Sequence, residues 1–195
     1  MANPALRDVS KGISSAPDLA LRFLVLRCQA GDEAAFAKLM GMFESRTLGY
    51  LRGILGDDAD DVQQEVWLTV FRQLNDLADP AAFRTWLFRT TRHRAIDFLR
   101  KRRRERELID DTPIESVASE VEADDDSTGP IDEAALVAAL MAMPPPQREV
   151  VMLRYRDGLT YQEIAQVTNR PIGTVRTRLH HAKRRLQESL TGRTI

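Results

Sequence analysis

Close to its C-terminal end the chain carries Thr174, Arg176, Thr177, Arg178, His180, His181, Lys183 and Arg184, interleaved with Val175, Leu179, Ala182 and Leu186. On a helical wheel the four apolar residues recur at steps of four, three and four and make one buried stripe. The opposite side carries Gly173, Thr177, His180 and Arg184, flanked by Arg176 and His181. The chemistry on offer is hydrogen bonding, not bond making. Arginine pairs with guanine edges or phosphates, and threonine with either, when a helix enters the major groove of DNA. Arg178, Lys183 and Arg185 stand nearer the shoulders and suit phosphates, which position a protein without specifying sequence.

Such a face is useful only if something aims it. The preceding stretch, LTYQEIAQVTNR, pairs Thr160 with Glu163 in a capping box, so a helix is expected to open there and to bury Ile164, Ala165 and Val167. Thr168, Asn169 and Arg170 make a turn, and Pro171 suits the first turn of the next helix, where a missing N–H is no loss. Short helix, tight turn and longer helix form a helix-turn-helix. The alternative is an ordinary helical hairpin with a solvated basic face.

Other chemistry finds little support. His93 with Asp97, and His180 with His181, can be drawn as metal ligands, but neither pair has a third ligand at workable spacing and both sit in basic helices. There is no phosphate-cradling glycine loop, nucleophile elbow or zinc motif. Cys28 is a core residue in an apolar helix, and as the sole cysteine it excludes an internal disulfide. We therefore expect no catalytic residue, no cofactor and no metal: a binding protein, not an enzyme.

The net charge of -1 averages over opposed blocks. Arg100 to Arg106 reads RKRRRER, and the helix-turn-helix is basic again. Between them, Leu108 to Glu133 contains no Lys or Arg and holds Asp110, Asp111, Glu115, Glu120, Glu122, Asp124, Asp125, Asp126, Asp132 and Glu133. Two basic surfaces flanking an acidic strip point to a polyanion touched in two places, or else to solvated helix faces and a spacer. No apolar run reaches the length of a membrane span, and Met1 to Pro17 has no stretch fit for a signal peptide. A cytoplasmic protein without membrane insertion is the expectation.

Spacings of three and four recur along the whole chain, and alternating strand patterns do not. Helices are expected over Leu19 to Cys28, Glu33 to Tyr50 (Phe36, Leu39, Met40 and Phe43 inward), Asp57 to Leu74 (Val62 and Val66 inward) and Phe83 to Glu107. The segment NDLADPAA, Asn75 to Ala82, reads as a loop. Beyond an acidic stretch without periodicity, Ile131 to Met143 is a helix stopped by Pro144 to Pro146, and Gln147 to Tyr155 is another, ended by Asp157-Gly158. The fold class is all-α: two small helical domains joined by a flexible acidic linker, the C-terminal one containing the helix-turn-helix.

On these residues the chain resembles the extracytoplasmic-function group of bacterial sigma factors. LRYRDGLTYQEIA followed by PIGTVRTRLHHAKRRL resembles the domain that binds the promoter −35 element. Independently, DADDVQQEVWLTVF (Asp58 to Phe71) resembles the polymerase-binding helix of sigma region 2, and FRTWLFRTTRHRAIDFLRKRR (Phe83 to Arg103) its −10 melting and recognition helix. The resemblance covers about Leu19 to Leu190 and implies an N-terminal extension over residues 1–18, region 2 over 19–107, a linker over 108–130 and region 4 over 131–195.

It further implies that Asp60, Asp61, Gln64 and Glu65 dock on the clamp helices of the largest polymerase subunit, an acidic outward face that is otherwise simply solvated. It implies −10 contacts from Asp76, Asp79, Arg84, Trp86, Arg89, Arg92 and Arg94. Aromatics among arginines suit single-stranded DNA, whose bases stack and whose backbone needs cations, although Trp86 at apolar spacing also reads as core. The loop before the helix, Asp76 to Ala82, would pocket a flipped-out base. The partners implied are core RNA polymerase (clamp helices and flap), promoter DNA and an anti-sigma factor. A transcription regulator with a similar helix-turn-helix is the rival reading, but such proteins carry an α/β domain upstream, and here the upstream half reads as helix.

Overall fold

In the computed structural model, residues 16–109 and 133–191 are described; the expected extension before residue 16 and all but the start of the expected linker lie outside them. The chain forms α1 (Ala16–Gln29), α2 (Glu33–Leu55), α3 (Ala59–Gln73), α4 (Phe83–Ile109), α5 (Glu133–Met141), α6 (Pro145–Val151), α7 (Tyr161–Thr168) and α8 (Ile172–Thr191). Among the described residues there is helix and turn but no strand. None of the described helices is long and apolar enough to cross a membrane.

Local chemistry sets the breaks. Gly31, at φ 87°, turns the chain out of α1. The Asp32 carboxylate then caps α2 by accepting from the Ala35 N–H at 2.9 Å, while Arg27 reaches it from the preceding helix. Gly56, at φ 63°, ends α2 five residues beyond the expected Tyr50. The expected loop Asn75 to Ala82 is built largely from two single 3₁₀ turns, Leu74–Asp76 and Pro80–Ala82. Asp79 caps the second of these through the Ala81 N–H.

The first core lies among α1–α4, with Val25, Leu39, Phe43, Leu51, Val62, Val66, Val70, Phe83, Leu87 and Ala95 at its centre. Cys28 packs against it, and burial pushes its thiol pKa up. Gln63 ties α3 to α2: its amide donates to Thr47 Oγ1 at 2.9 Å and to the Glu44 carbonyl at 3.0 Å. Gln29 likewise donates to the carbonyls of Leu74 and Leu77, fixing the loop before α4 to the end of α1.

The second core joins Met143, Val150, Val151, Leu153, Leu159, Ile164, Val167, Val175, Leu179 and Ala182. Its boundaries differ from the sequence expectation at three places, the first being the end of α5 at Met141, two residues before the expected Met143. Pro145 begins α6, because a proline at the first helical position loses no hydrogen bond; only Pro144 lies outside. The helix expected to run to Tyr155 changes to a π turn over Met152–Arg156. Tyr50 of α2 and Phe88 of α4 belong to this second core, so the two halves of the chain are packed together.

Candidate nucleic-acid interface

The helix-turn-helix forms as its local signals dictate. Thr160 Oγ1 accepts from the Glu163 N–H at 3.3 Å and the Glu163 carboxylate accepts from the Thr160 N–H at 2.7 Å, closing the capping box. Asn169 ends α7 in the left-handed region at φ 49°, with the Arg170 N–H bonded to the Ala165 carbonyl. Pro171 stands just before α8 instead of inside its first turn, and its carbonyl accepts from Val175. Replacing Thr160 by alanine leaves the Glu163 N–H without its cap and is expected to cost about 1 kcal/mol, read as a lower urea midpoint at unchanged m-value.

Val175, Leu179 and Ala182 are buried and half-buried Leu186 packs on them, so α8 is rotationally fixed. The opposite face is open: Gly173, Arg176, Thr177, His180, Lys183 and Arg184 are exposed, and Thr174, Arg178 and His181 are half-buried. Thr177 Oγ1 donates back to the Gly173 carbonyl, which leaves its lone pairs outward. Arg184 meets Glu188 at 3.4 Å, an exposed pair that a phosphate or base displaces at little cost. His180 and His181 have their ring centroids 5.8 Å apart. Among the described residues, no group of three or more His, Cys, Asp or Glu is placed to hold a metal, and Asp97 instead faces Arg100 at 3.9 Å.

The residues assigned to the −10 element are brought onto α4 and the loop ahead of it, but in unequal states. Arg89, Asp76 and Asp79 are exposed. Trp86 is half-buried, packed on the first core with its ring centroid 6.2 Å from that of Phe83, so much of its surface serves packing. Arg84 meets Asp18 at 3.5 Å, and Arg94 donates to Thr69 Oγ1 at 3.1 Å. Arg92 Nε donates to Glu149 Oε1 at 2.8 Å, across the boundary between the halves.

On α3, Asp60, Asp61, Gln64 and Glu65 are exposed while Val62 and Val66 are buried. Asp60 lies 3.5 Å from Arg52. The outward face continues into Leu68 and Phe71, 54% and 64% exposed, which sequence reasoning passed over. Their spacing from Asp61 and Gln64 was the available signal: i, i+3, i+7 and i+10 share a helix face. Phe71 is held upright by an edge-to-face contact with Phe36 at 5.3 Å. An acidic start and an apolar end give this exposed face a mixed polar and apolar character.

Two family models match. Sigma-70 region 2 matches residues 39–105, which holds α3 and most of α4, and sigma-70 region 4 matches residues 133–186, which holds the helix-turn-helix. The ECF RNA polymerase sigma factor RpoE of Cereibacter sphaeroides is 32% identical over 169 residues, spanning 82% of this chain and 88% of the relative. Among solved structures, CnrH in complex with the cytosolic domain of CnrY aligns at TM-score 0.60 and 26% identity over 89% of this chain and 98% of that one. RpoE in complex with the anti-sigma factor NepR from Bartonella quintana aligns at TM-score 0.62 and 26% identity, over 80% and 96% of the two chains.

Proposed function

The chain belongs to the extracytoplasmic-function group of the sigma-70 family, a transcription initiation factor that directs promoter-specific initiation, and from that membership we propose how its parts share the work. Residues 19–107 act as the polymerase- and −10-binding unit and residues 131–195 as the −35-binding unit, joined by an acidic linker over 108–130. The exposed donor face of α8, rigidly backed by Val175, Leu179 and Ala182, is the observation that carries the reading. Thr174, Arg176, Thr177, Arg178, His180, His181, Lys183 and Arg184 contact the −35 element. Base edges are reached by the central residues and phosphates by the shoulders.

Asp76, Asp79, Arg84, Trp86, Arg89, Arg92 and Arg94 serve the melted −10 strand, where cations follow the backbone and ring faces stack on bases. The α3 face docks on the clamp helices of core polymerase through Asp60, Asp61, Gln64 and Glu65, and we add Leu68 and Phe71 as its apolar end. Region 4 meets the flap. The protein works in the cytoplasm, catalyses no reaction of its own, and is restrained by an anti-sigma factor; relatives of matching fold bind partners of that kind.

The test of the docking assignment is a charge reversal on an exposed face. Asp61→Lys with Glu65→Lys is expected to weaken binding to core polymerase about tenfold or more, equivalent to at least ~1.4 kcal/mol. Because both side chains are exposed, thermal stability should stay within about 0.5 kcal/mol of the parent. Unchanged core affinity would remove α3 from the interface.

A further inference from the structure

We propose that Arg94 is a positioning residue: its guanidinium hooks α4 to α3 through Thr69 and so fixes the −10 face relative to the polymerase-docking face. The inference deepens the assignment of α3 to core polymerase and of α4 to the −10 element, and it rests on that reading.

The tie is a relay through one hydroxyl. Arg94 Nε donates to Thr69 Oγ1 at 3.1 Å, and Thr69 Oγ1 donates in turn to the Glu65 carbonyl at 2.8 Å. A threonine hydroxyl has one proton to give and two lone pairs to accept with, so both bonds are made at once. Thr69 is only 7% exposed, so little water can take the place of the guanidinium. The relay ends on the backbone of Glu65, whose exposed side chain belongs to the docking face.

Arg94 stands apart from the other cations assigned to the −10 strand. It lies five residues beyond Arg89, about 140° round the helix, on the side that meets α3. Arg89 is exposed, and of Arg84, Arg89, Arg92 and Arg94 it alone is. Arg84 is held by the Asp18 carboxylate and Arg92 by that of Glu149. Half-buried Arg94 instead commits its Nε to a neutral hydroxyl on the helix alongside, a bond that holds position without neutralising charge.

Register along α3 needs such a hook. Where the two helices pack, the first core supplies Val66, Val70, Leu87 and Ala95, and apolar burial has no direction of its own. A hydrogen bond is directional and holds one register. A second tie joins Arg102 to Asp58, so a later residue of α4 meets an earlier part of the chain and the helices run antiparallel. Its side chains are 44% and 34% exposed, and an exposed pair holds weakly. Asp60, Asp61, Gln64 and Glu65 all lie between the two ties. Because α4 cannot slide along α3 without breaking the Arg94 bond, docking of α3 on polymerase carries Arg89 and Trp86 to one fixed place.

The test uses the full chain bound to core polymerase on a promoter fragment that the parent transcribes, with permanganate reactivity of unpaired thymines reporting −10 opening. Thr69→Val keeps the side-chain shape and removes the hydroxyl. It should lower opening about fivefold, while core affinity and the urea unfolding midpoint stay at the parent's values. Thr69→Ser brings the hydroxyl back and should restore opening. Arg94→Ala should lose as much as Thr69→Val and the double variant no more, because both cut the same bond. Arg94→Gln carries no charge, but its amide nitrogen stands as many bonds from the backbone as Nε does, so it should recover most of what Arg94→Ala loses. Parental opening in Thr69→Val overturns the proposal, as does a loss of core affinity or stability that matches its loss of opening, which would make the tie merely structural. An Arg94→Gln as impaired as Arg94→Ala, beside an active Arg94→Lys, overturns it too and makes Arg94 a phosphate contact. If the parent opens no promoter at all, the reading of α4 falls and the proposal with it, whereas a parent that opens promoters beside an equally active Thr69→Val removes the positioning role alone.

Discussion

Replacing Phe83 by alanine is expected to lower the stability of the protein by about 3–5 kcal/mol, the range for deleting a large buried aromatic and leaving its cavity behind. Phe83 opens α4 and is fully buried. Its ring stands edge to face against Phe43 at 5.4 Å and tilted against Trp86 at 6.2 Å, so it joins α2 to the start of α4. A small domain holds only about 5–15 kcal/mol in total, so the loss takes a large share of it. The loop Asp76 to Ala82 leads directly into this residue, and its anchoring should loosen with it. Chemical denaturation of the full chain reads the effect as a lower midpoint. A change below about 1 kcal/mol would mean that the site collapses around the gap and that Phe83 is not central to the core.

The second large effect is on recognition. Arg176→Ala or Arg184→Ala should weaken binding at −35-dependent promoters by about 1–3 kcal/mol wherever the side chain meets a base, a loss of about 5- to 150-fold. Both residues are exposed on α8, and Arg184 gives up only a surface pair with Glu188, so the fold should not notice either change. Lys183→Ala is the contrast: a phosphate contact should weaken binding uniformly across promoter sequences and reduce its salt dependence. Holoenzyme binding to promoters carrying single base changes in the −35 element separates the two behaviours. An arginine variant that loses affinity equally for every sequence would be a phosphate residue, and unchanged promoter activity for both variants would remove the assignment of this face.

How far residues declared themselves depended on how local their signal was. The capping box at Thr160 and Glu163 and the stripe of Val175, Leu179 and Ala182 need only neighbours three and four positions away, and both are found in place. The exposed acidic start of α3 was legible for the same reason, but its apolar end was not. Leu68 and Phe71 share that face by spacing, but being apolar they were passed over until their exposure, 54% and 64%, set them apart from buried Val66 and Val70. Helix ends were misread where two rules compete: Pro145 terminates one helix pattern and equally well starts the next.

What stayed hidden is the closing of one half on the other, because it depends on residues about a hundred positions apart, such as Tyr50 and Glu149. Arg92 reads from sequence as a free cation on a DNA-binding helix, whereas in the fold it is paired with Glu149.

The central claim, that the chain directs promoter-specific initiation through core polymerase, is tested most directly by run-off transcription. Purified chain and core RNA polymerase are combined on a library of promoter fragments, with core alone as the control. Discrete transcripts that appear only when the chain is present, with start sites placed at a fixed distance from shared −10 and −35 sequences, are the predicted result. A chain that neither binds core nor starts transcripts, yet retains duplex DNA by itself, would contradict the account and leave a helix-turn-helix regulator whose Asp61–Glu65 face is merely solvated.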